Sequence, residues 1–405
     1  MVRKILFISD HGDPLAPLGS EQAGGQNNYV RQLAIALENE GYAVDVATHW
    51  DSTETAQIEH FGNNCRVLRF AAGKHHFVPK NEMNRLIPEF FDEMSQMLNF
   101  DSYDIVHTHY WLSGLIGSFI KRKCGIPWVH TNHSLGIAKM KATGDADALR
   151  LLSEKMILTS TDLIVVTSRS EKQLIREFVN HPAPMSIIPI GVTKGFQVNQ
   201  PKILVSPYFV FAGRLQSTKG IYTLLSAFDL LTKVNPAMDR VKLLVAGGSE
   251  TCVMPKSYLP KSRKLRAAIN GFEHRVKFLG PQNQKQLARL FTNSIATIVP
   301  SHYESFGMVA AEAQACGSPV IASKVGGLQD IVKHGITGLH VEHNNPIQLS
   351  QAMSTLFNKP HLTKKLGQRA AAYAEQEFNW SVIASKMSEA YKGVINETKI
   401  LLTGD

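Results

Sequence analysis

The sequence predicts an α/β protein built from two doubly wound domains, each with a parallel sheet between layers of helices. Short, continuously apolar runs alternate with amphipathic helical patterns along the chain, as in KILFI followed by NNYVRQLAIALENEG. Strands that are buried on both faces of a sheet have this continuous pattern. The length of 405 residues exceeds what one ordinary hydrophobic core supports, so two domains of roughly 200 residues each are expected.

Thirteen apolar runs are the expected strands. Seven of them precede residue 191, in the order KILFI, AVDVAT, RVLRF, DIVHT, PWVHT, DLIVVT and SIIPI. Six follow residue 206, in the order YFVFAG, VKLLVAG, RVKFLG, IATIVP, PVIAS and GLHV. Helical patterns such as IYTLLSAFDLLTKV lie between most of these runs, and a helix between successive strands is typical of parallel sheets.

The domain boundary is expected in residues 191–207, GVTKGFQVNQPKILVSP, which are rich in glycine, proline and polar residues and lack periodicity. This gives an N-terminal domain over 1–190 and a C-terminal domain over 191–380. The C-terminal helix, residues 381–405, can pack on the first domain, although its pattern alone would allow either. Ligands of such sheets bind outside the carboxyl ends of the strands, so we expect two Rossmann-like domains facing a central cleft.

Composition narrows the class of protein. A hydrophobic fraction of 44% and a charged fraction of 19% are typical of a globular enzyme. Four separated cysteines without paired spacing indicate a reducing compartment and argue against disulfides or a structural zinc site. The N-terminus enters a short strand directly, and no apolar run has the length of a membrane span, so a cytoplasmic protein is expected.

The formal net charge of +9 favours anionic partners. Because the basic residues are scattered and no binding-module signature is present, we expect no nucleic acid partner. Small phosphorylated substrates and peripheral contact with an anionic membrane both remain open. The oligomeric state is not predicted.

Two loops of the first half could carry chemistry. Gly24 and Gly25 precede a helix in the long loop 11–30, where glycine lets a ligand approach the backbone and the helix N-terminus favours an anion; a simple turn is the alternative. His133 follows the strand PWVHT, and Lys139 lies a turn or two later.

Two other polar motifs of the first half are interpreted as structural. The HTH motif of His107 and His109 is read as packing or hydrogen bonding rather than metal binding, since no carboxylate is near it. The DAD motif at 145–147 lies in a polar loop and is read as chance rather than as a metal-binding DxD.

Two loops of the second half are stronger candidates. Arg214 and Lys219 follow the strand YFVFAG, and a guanidinium and an ammonium suit a diphosphate. Glu304 follows the strand IATIVP, and Ser305 to Val309 are expected to form the first turn of a helix whose free N–H groups bind a phosphate or sugar oxygen. Glu312, two turns further, is expected to accept hydrogen bonds from a diol such as ribose; a helix-internal ion pair is the alternative.

These residues resemble the retaining family-4 glycosyltransferases of the GT-B fold. The resemblance rests on Glu304 and Glu312 in ESFGMVAAEAQACGSPV, with GRLQSTKG upstream and VGGLQDIV downstream, and covers nearly the whole chain. HGDPLAPLGSEQAGGQNNYV, HTHYWLSG and HSLGIAK resemble the branch that holds sucrose-phosphate synthase and the inositol-phosphate glycosyltransferase of mycothiol synthesis. The C-terminal motifs are closer to the second enzyme, and HSLG and GGQ are closer to the first. Ile190 in IPIGV departs from the usual asparagine.

The resemblance implies a role for each site residue. Arg214 and Lys219 would hold the donor diphosphate and, with His133 and Glu304, form the catalytic group. The donor site would further comprise Gly25, Phe306, Gly307, Met308, Val309 and Glu312. The acceptor phosphate would be bound by Lys80, Lys139 and Arg150, each expected after a different strand. The acceptor ring would be bound by Gln26, Asn27 and Tyr110.

The implied activity is transfer of a hexosyl group, with retention, from a nucleotide-diphosphate sugar such as UDP-glucose to a hydroxyl of a phosphorylated sugar or cyclitol. Fructose 6-phosphate and inositol phosphate are the acceptor types. No metal and no cofactor is expected beyond the nucleotide-sugar co-substrate. Two alternatives stay open: a membrane-surface glycosyltransferase with a lipid-linked acceptor, and a two-domain sugar-binding protein without catalysis.

Overall fold

The computed structural model of the chain divides into two compact units, one of Met1–Gly191 with Trp380–Asp405 (unit 1) and one of Val192–Asn379 (unit 2). The structure describes residues 3–16, 25–145, 147–197, 206–234, 236–248, 252–254 and 257–403. Residues 17–24, which include Gly24 of the first candidate loop, lie outside this set, as do residues 198–205 of the expected domain boundary.

Unit 1 contains a sheet whose eight described strands lie in the order β3-β4-β2-β1-β5-β6-β7-β8. All neighbours are parallel except β3 and β4, which are antiparallel. The strands are β1 (Arg3–Ile8), β2 (Tyr42–His49), β3 (Ile58–His60), β4 (Cys65–Phe70), β5 (Ile105–His109), β6 (Trp128–Thr131), β7 (Leu163–Val166) and β8 (Met185–Ile187).

Helices cover both faces of this sheet. They are α1 (Gly25–Asn39), α2 (Ile87–Met97), α3 (Tyr110–Cys124), α4 (Gly136–Thr143), α5 (Ala148–Ser160) and α6 (Arg169–Phe178). Strand β1 shows how the two layers arise: Ile5 and Phe7 join one buried cluster, with α1, and Leu6 and Ile8 join another, with α2 and α3. Successive side chains of a strand point to opposite faces, so an all-apolar strand supplies two cores at once.

Unit 2 contains a second parallel sheet in the order β11-β10-β9-β12-β13-β14. Its described strands are β9 (Tyr208–Ala212), β10 (Lys242–Ala246), β11 (Val276–Gly280), β12 (Thr297–Val299), β13 (Val320–Ser323) and β14 (Gly338–Val341). Its helices are α7 (Ile221–Val234), α8 (Arg263–Ala268), α9 (Gln284–Asn293), α10 (Met308–Ala315), α11 (Leu328–Ile331), α12 (Pro346–Asn358) and α13 (Pro360–Phe378).

The last helix, α14 (Trp380–Thr403), packs against α1 and belongs to unit 1. Trp380, Met387 and Tyr391 are buried in the same cluster as β1 and α1. Ile190 packs against this cluster as well, which gives the apolar residue of IPIGV a physical reason.

The predicted fold class is confirmed, because each unit is a parallel sheet of the expected strands with helices around it. The exception is β3, a three-residue antiparallel edge strand with every residue exposed, which the apolar patterns did not indicate. Within the described residues, no helix is both long and apolar enough to cross a bilayer.

The strand orders also locate the candidate sites. Parallel sheets bind ligands where the strand order reverses, outside the carboxyl ends of the two central strands. In unit 1 the order reverses between β1 and β5, and in unit 2 it reverses between β9 and β12. We call these two places the switch points of the sheets. Four loops, those after β1, β5, β9 and β12, are therefore the places to look for chemistry.

Candidate functional site

At the switch point of unit 2, the loops after β9 and β12 bring Lys219 and Glu304 together. The Lys219 Nζ lies 2.6 Å from Glu304 Oε2, and the Ser301 hydroxyl donates to the same oxygen over 3.3 Å. The His302 N–H donates to the Thr218 carbonyl over 2.9 Å and ties the two loops to each other. Arg214 is exposed on the loop after β9. Three predicted donor-site residues thus lie on adjoining loops.

Two glycines beside this ion pair pack directly against backbone atoms of a neighbouring loop. Gly220, which follows Lys219, has φ of +71°, and a Cβ there would lie 1.8 Å from the Pro300 carbonyl oxygen. Gly326 approaches the Glu304 carbonyl oxygen, where a Cβ would lie 2.1 Å away. Glycine is required at both places because any side chain would meet backbone atoms. The glycines of STKG and VGGLQD therefore fix the positions of Lys219 and Glu304.

The helix after Glu304 starts later than predicted. Ser305 to Val309 were expected to form its first turn, but α10 begins at Met308, with Gly307 as N-cap residue at φ of +109°. A Cβ on Gly307 would lie 2.6 Å from the Leu328 side chain, so both the left-handed backbone and the packing favour glycine at this position. The Phe306 side chain is buried against Phe378, at 5.9 Å between ring centroids, so Phe306 can meet a ligand only through its backbone.

Glu312 lies on the same half-buried face of α10 as Met308 and Val309. Burial raises the pKa of its carboxyl to about 8. None of the ion pairs among the described residues contains Glu312, so the helix-internal ion pair is not what the structure shows. A half-buried carboxyl without a cation is suited to accept hydrogen bonds from hydroxyl groups, and its assignment to a ribose stays a prediction.

In unit 1, three of the predicted acceptor residues come together at the switch point, on Tyr110 at the start of α3. The Lys80 Nζ lies 5.5 Å and the Arg150 Cζ 5.0 Å from the Tyr110 ring centroid. The His11 ring, from the loop after β1, lies 4.7 Å from the same centroid. We call Lys80, Tyr110, Arg150 and His11 the Tyr110 cluster.

Electrostatics in the Tyr110 cluster favour an anion. Lys80 keeps much of its surface exposed, but desolvation of its ammonium lowers its pKa, Asp10 raises it, and the neighbouring Arg150 lowers it further. Cations over an aromatic face are attracted by the ring, yet they repel each other. A negatively charged group bound between Lys80 and Arg150 would relieve that repulsion.

Arg150 is held in place by its own carboxylate partner. Its Nε donates to Glu154 Oε1 over 2.7 Å, and its Nη2 donates to the Ser134 carbonyl over 2.8 Å. The Glu154 side chain is 1% exposed and also accepts from the Gly136 N–H at the start of α4. A guanidinium has five N–H donors, so these bonds orient Arg150 and leave its Nη1 group for a ligand.

Lys139, the third predicted cation, has a carboxylate partner of its own. It is exposed on α4, and its ammonium is paired with Asp145. The expectation that each of the three cations follows a different strand is wrong, because Lys139 and Arg150 both follow β6, on α4 and α5. The two carboxylates of the DAD motif have structural partners, since Asp147 is the N-cap residue of α5 and accepts from the Arg150 N–H.

Gly25, Gln26 and Asn27 form the first turn of α1. The Gln26 amide donates to Ser9 Oγ over 3.0 Å and to the His109 carbonyl over 3.3 Å, which places Gln26 between the ends of β1 and β5. Asn27 is 4% exposed and donates to the Asp13 carbonyl over 2.8 Å. Among the described residues, no atom lies within 4 Å of the position that a Cβ on Gly25 would take. Contacts of these three residues with substrate stay predictions.

His133 follows β6 and is connected to the HTH motif. Its Nε2 lies 3.1 Å from His109 Nδ1, and burial lowers the pKa of His133 to about 3, so the ring is neutral at physiological pH. His107 is fully buried between the Tyr391 hydroxyl at 2.6 Å and the Thr131 hydroxyl at 2.8 Å. The packing and hydrogen-bonding interpretation of His107 and His109 is confirmed.

Two candidate residues have strained backbone. Tyr110 has φ of +78° and His133 has φ of +57°, in the left-handed region that residues other than glycine rarely adopt. Such strain persists where surrounding structure enforces it, and it concentrates at functional sites. This supports the choice of both residues on grounds independent of charge.

Sequence reasoning missed His11 and Asp10. Both follow β1, at the switch point, and the sequence HGDP was part of a candidate loop. The position directly after a central strand was the available signal. Their hydrogen bonding, which depends on Ser113 of α3, was not readable from the sequence.

Within the described ranges, no group of three or more histidine, cysteine, aspartate or glutamate side chains is arranged to hold a metal ion.

Both units are doubly wound parallel sheets with cationic loops at their switch points, an arrangement found in the glycosyltransferases of the GT-B class. Residues 23–194 match the family described as glycosyltransferase family 4, and residues 196–373 match the glycosyl transferases group 1. The chain belongs to this family of glycosyltransferases, and membership supports an enzyme over the sugar-binding protein without catalysis.

Relatives align over nearly the full length. D-inositol 3-phosphate glycosyltransferase of Corynebacterium diphtheriae is 31% identical over 96% of this chain and 95% of that protein. The protein of the same name in Actinosynnema mirum is 32% identical over 96% of this chain and 97% of its own length. The solved sucrose-phosphate synthase of Thermosynechococcus elongatus superimposes with a TM-score of 0.83 at 33% identity, covering 98% of this chain and 100% of that one.

Proposed function

We propose that the protein transfers a hexosyl group, with retention and without a metal ion, from a UDP-sugar to a hydroxyl of a phosphorylated sugar or cyclitol. Relatives support the acceptor class: those at 31% and 32% identity are named for D-inositol 3-phosphate, and the structural neighbour at 33% for sucrose phosphate.

The Tyr110 cluster is the observation that carries the proposal. Lys80 and Arg150 lie over one aromatic ring at a switch point, where a parallel sheet binds its ligand. A phosphate placed there gains charge-assisted hydrogen bonds worth about 1.5–3 kcal/mol each before costs are subtracted. A neutral sugar gains none of this, so the phosphate should dominate recognition.

The donor side rests on unit 2. Departure of a nucleoside diphosphate builds negative charge on its terminal phosphate, and preorganised donors aimed at that charge are usually the main catalytic contribution. Lys219, Arg214 and the N–H groups of Met308 and Val309 can supply such donors. Glu304 orients Lys219 through one oxygen and keeps the other for a sugar hydroxyl.

The environments of Glu304 and Glu312 make both carboxyl groups poor nucleophiles, which favours retention without a covalent enzyme intermediate. Glu304 is held in an ion pair, and Glu312, with a pKa raised to about 8 by burial, is mostly protonated at neutral pH and therefore a poor nucleophile. We infer that the departing phosphate oxygen accepts the acceptor's proton. His133, which is neutral, would hydrogen-bond the donor sugar.

A donor-by-acceptor screen tests this function. Nucleotide release is measured for UDP-, GDP- and ADP-sugars against fructose 6-phosphate, inositol 3-phosphate and inositol 1-phosphate, with fructose and inositol as the matched neutral acceptors. We expect release only with a phosphorylated acceptor, unchanged turnover in EDTA, and the donor's anomeric configuration in the product by NMR. Equal rates with the neutral acceptors would refute the acceptor class, and an EDTA-sensitive rate would refute metal independence.

One observation favours a second candidate, a glycosyltransferase of the membrane surface with a lipid-linked acceptor. Helix α5 exposes Leu149 (51%), Leu152 (67%) and Met156 (37%) on one side, beside the exposed Lys155. An apolar stripe flanked by cations can lie on an anionic membrane. Co-sedimentation with vesicles of anionic lipid, lost in Leu152→Ser, together with no reaction on soluble phosphorylated acceptors, would favour this candidate.

A further inference from the structure

Two histidines of unit 1, His109 at the end of β5 and His133 just after β6, are joined by a hydrogen bond between their rings. His109 Nδ1 lies 3.1 Å from His133 Nε2, and the ring centroids are 5.3 Å apart. His109 is fully buried, whereas His133 keeps part of its surface exposed. Only one of the two nitrogens can carry the proton of this bond, so one ring donates and the other accepts.

Both rings are neutral at physiological pH. Burial lowers the pKa of His109 well below its ordinary value and that of His133 to about 3, and neighbouring histidines lower both further. A neutral imidazole carries one N–H group and one lone pair. The direction of the hydrogen bond between the rings therefore decides the tautomer of each.

The other nitrogen of His109 indicates that direction. Among the described residues, His109 Nε2 is buried and has no hydrogen-bond partner. If Nε2 carried the proton, a buried N–H group would have no acceptor, and such groups are rarer in native proteins than unused lone pairs. The proton of His109 then lies on Nδ1 and is donated to His133 Nε2, which leaves the proton of His133 on its own Nδ1.

His133 Nδ1 is the nitrogen left for a ligand. Within the described part of the chain, the bond to His109 is the one hydrogen bond that the His133 ring makes. The buried Tyr29 ring makes a T-shaped contact with the His133 ring, at 4.9 Å between centroids. His109 and Tyr29 thus hold the ring of a residue whose backbone is left-handed, at φ of +57°, and leave Nδ1 unpaired.

We propose that His109 is a positioning residue for sugar transfer: its Nδ1–H group fixes His133 in the tautomer that offers an Nδ1–H donor to an oxygen of the transferred sugar. The inference rests on the proposed function for the contact between His133 and the donor sugar. It adds which group His133 offers and which residue decides this. The oxygen can belong to a hydroxyl or a carboxylate, whereas an ammonium or a methyl group at that place gains no hydrogen bond.

Two variants of His109 test the positioning role by binding. His109→Leu removes both nitrogens, and His109→Asn keeps an amide N–H near the position of Nδ1. Calorimetry compares UDP-glucose with UDP, which lacks the sugar; if the screen selects another base, the matching nucleotide-glucose and nucleoside diphosphate are used. We expect His109→Leu to weaken binding of the nucleotide-sugar roughly tenfold and to leave the nucleotide unchanged, and His109→Asn to recover most of the affinity. An equal loss for both ligands, or no loss for the nucleotide-sugar, would overturn the positioning role.

The tautomers can be measured without substrate, which separates this inference from the proposed function. In unliganded protein labelled with ¹⁵N-histidine, the His109 and His133 resonances are assigned by their loss in His109→Asn and His133→Gln. We expect the proton of each ring on Nδ1, and in His109→Leu a His133 ring that also populates the Nε2–H tautomer. A screen without nucleotide release would refute the proposed function and leave this result as measured. A proton on Nε2 of either ring in the natural protein would overturn the inference.

Discussion

The two switch points handle charge in opposite ways. In unit 2 the central feature is a pair of opposite charges, Lys219 and Glu304 at 2.6 Å, on loops that glycines hold against backbone. In unit 1 the central feature is a pair of like charges, Lys80 and Arg150, over the strained Tyr110. In unit 2 the charge of Lys219 is neutralised by Glu304, whereas unit 1 gathers positive charge that Asp10 and Glu154 offset in part.

Because of this difference, the two sites should recognise their ligands through different interactions. A diphosphate arriving in unit 2 must share Lys219 with Glu304, so shape and N–H donors carry much of its recognition. An anion arriving in unit 1 relieves repulsion that is already present, so charge itself should be the main determinant there.

The largest effect is expected from Arg150→Ala. Loss of the guanidinium should lower kcat/KM for a phosphorylated acceptor by about 100-fold, since a charge-assisted contact of about 3 kcal/mol is removed. The variant should also unfold more readily, by about 3–5 kcal/mol, because Glu154 keeps a buried carboxylate without its cation. Steady-state kinetics and denaturant unfolding measure the two effects.

The double variant Arg150→Ala/Glu154→Gln separates structure from recognition. Removal of the orphaned charge should restore most of the stability, while kcat/KM for the acceptor stays low. If activity returned together with stability, Arg150 would be a structural residue, and the claim that like charges in unit 1 bind the acceptor's anion would be wrong.

A smaller effect is expected from Glu312→Gln in unit 2. Above about pH 8, where Glu312 is ionised, loss of a charge-assisted hydrogen bond to the ribose diol should weaken nucleotide binding by about 10-fold to 100-fold, and by more than Glu304→Gln does. Affinity of the natural protein should rise with pH up to about 8 and then level off, because the carboxylate is the form that accepts two hydroxyl groups. Calorimetry across pH measures this, and equal nucleotide affinity in both variants would contradict the assignment.

The same variant should be more stable than the natural protein at high pH. The pKa of Glu312 is raised on folding, so its ionisation destabilises the folded state as pH rises from its ordinary range through about 8. Glutamine carries no charge to desolvate. Tm should therefore increase in Glu312→Gln above pH 8 and change little near pH 4.5, and the opposite trend would show that the carboxylate has a cationic partner.

The smallest effect is expected from Lys139→Ala. This lysine was predicted from the sequence to bind the acceptor phosphate, but it is exposed and paired with Asp145. We expect acceptor KM to rise only a few-fold, since exposed ion pairs and contacts contribute about 0–1 kcal/mol. An increase as large as that in Arg150→Ala would show that Lys139 leaves Asp145 when substrate binds.

Much of the fold was predictable because it depends on local pattern. Strands such as LFI in β1 and FVF in β9 are buried on both faces, and a continuous apolar run is the direct consequence. Edge strand β3 was not predicted, because all three of its residues are exposed and the segment contains no continuous apolar run. The start of α10 was not predicted, because Gly307 could equally lie in the first turn or cap the helix, and its φ of +109° is not readable from the sequence.

The site was predictable only in part. Lys219, Glu304 and Tyr110 follow central strands, a position that can be read along the chain, whereas Lys80 follows β4. The partner of a charged side chain cannot be read from the sequence, so the ion pair of Lys139 with Asp145 was not predicted. His11 was missed because its hydrogen bonding depends on the positions of Asp10 and Ser113, which lie 103 residues apart.

A four-way comparison tests most directly whether unit 1 reads the acceptor's phosphate through Lys80. Values of kcat/KM are measured for fructose 6-phosphate and fructose, and for inositol 3-phosphate and inositol, with the natural protein and with Lys80→Ala. Lys141→Ala, which removes an exposed lysine of α4 paired with Glu177, is the matched control. We predict a preference for the phosphorylated acceptor of about 100-fold or more that falls at least about tenfold in Lys80→Ala and is unchanged in Lys141→Ala. A preference near one in the natural protein, or one that Lys80→Ala leaves intact, would contradict the account.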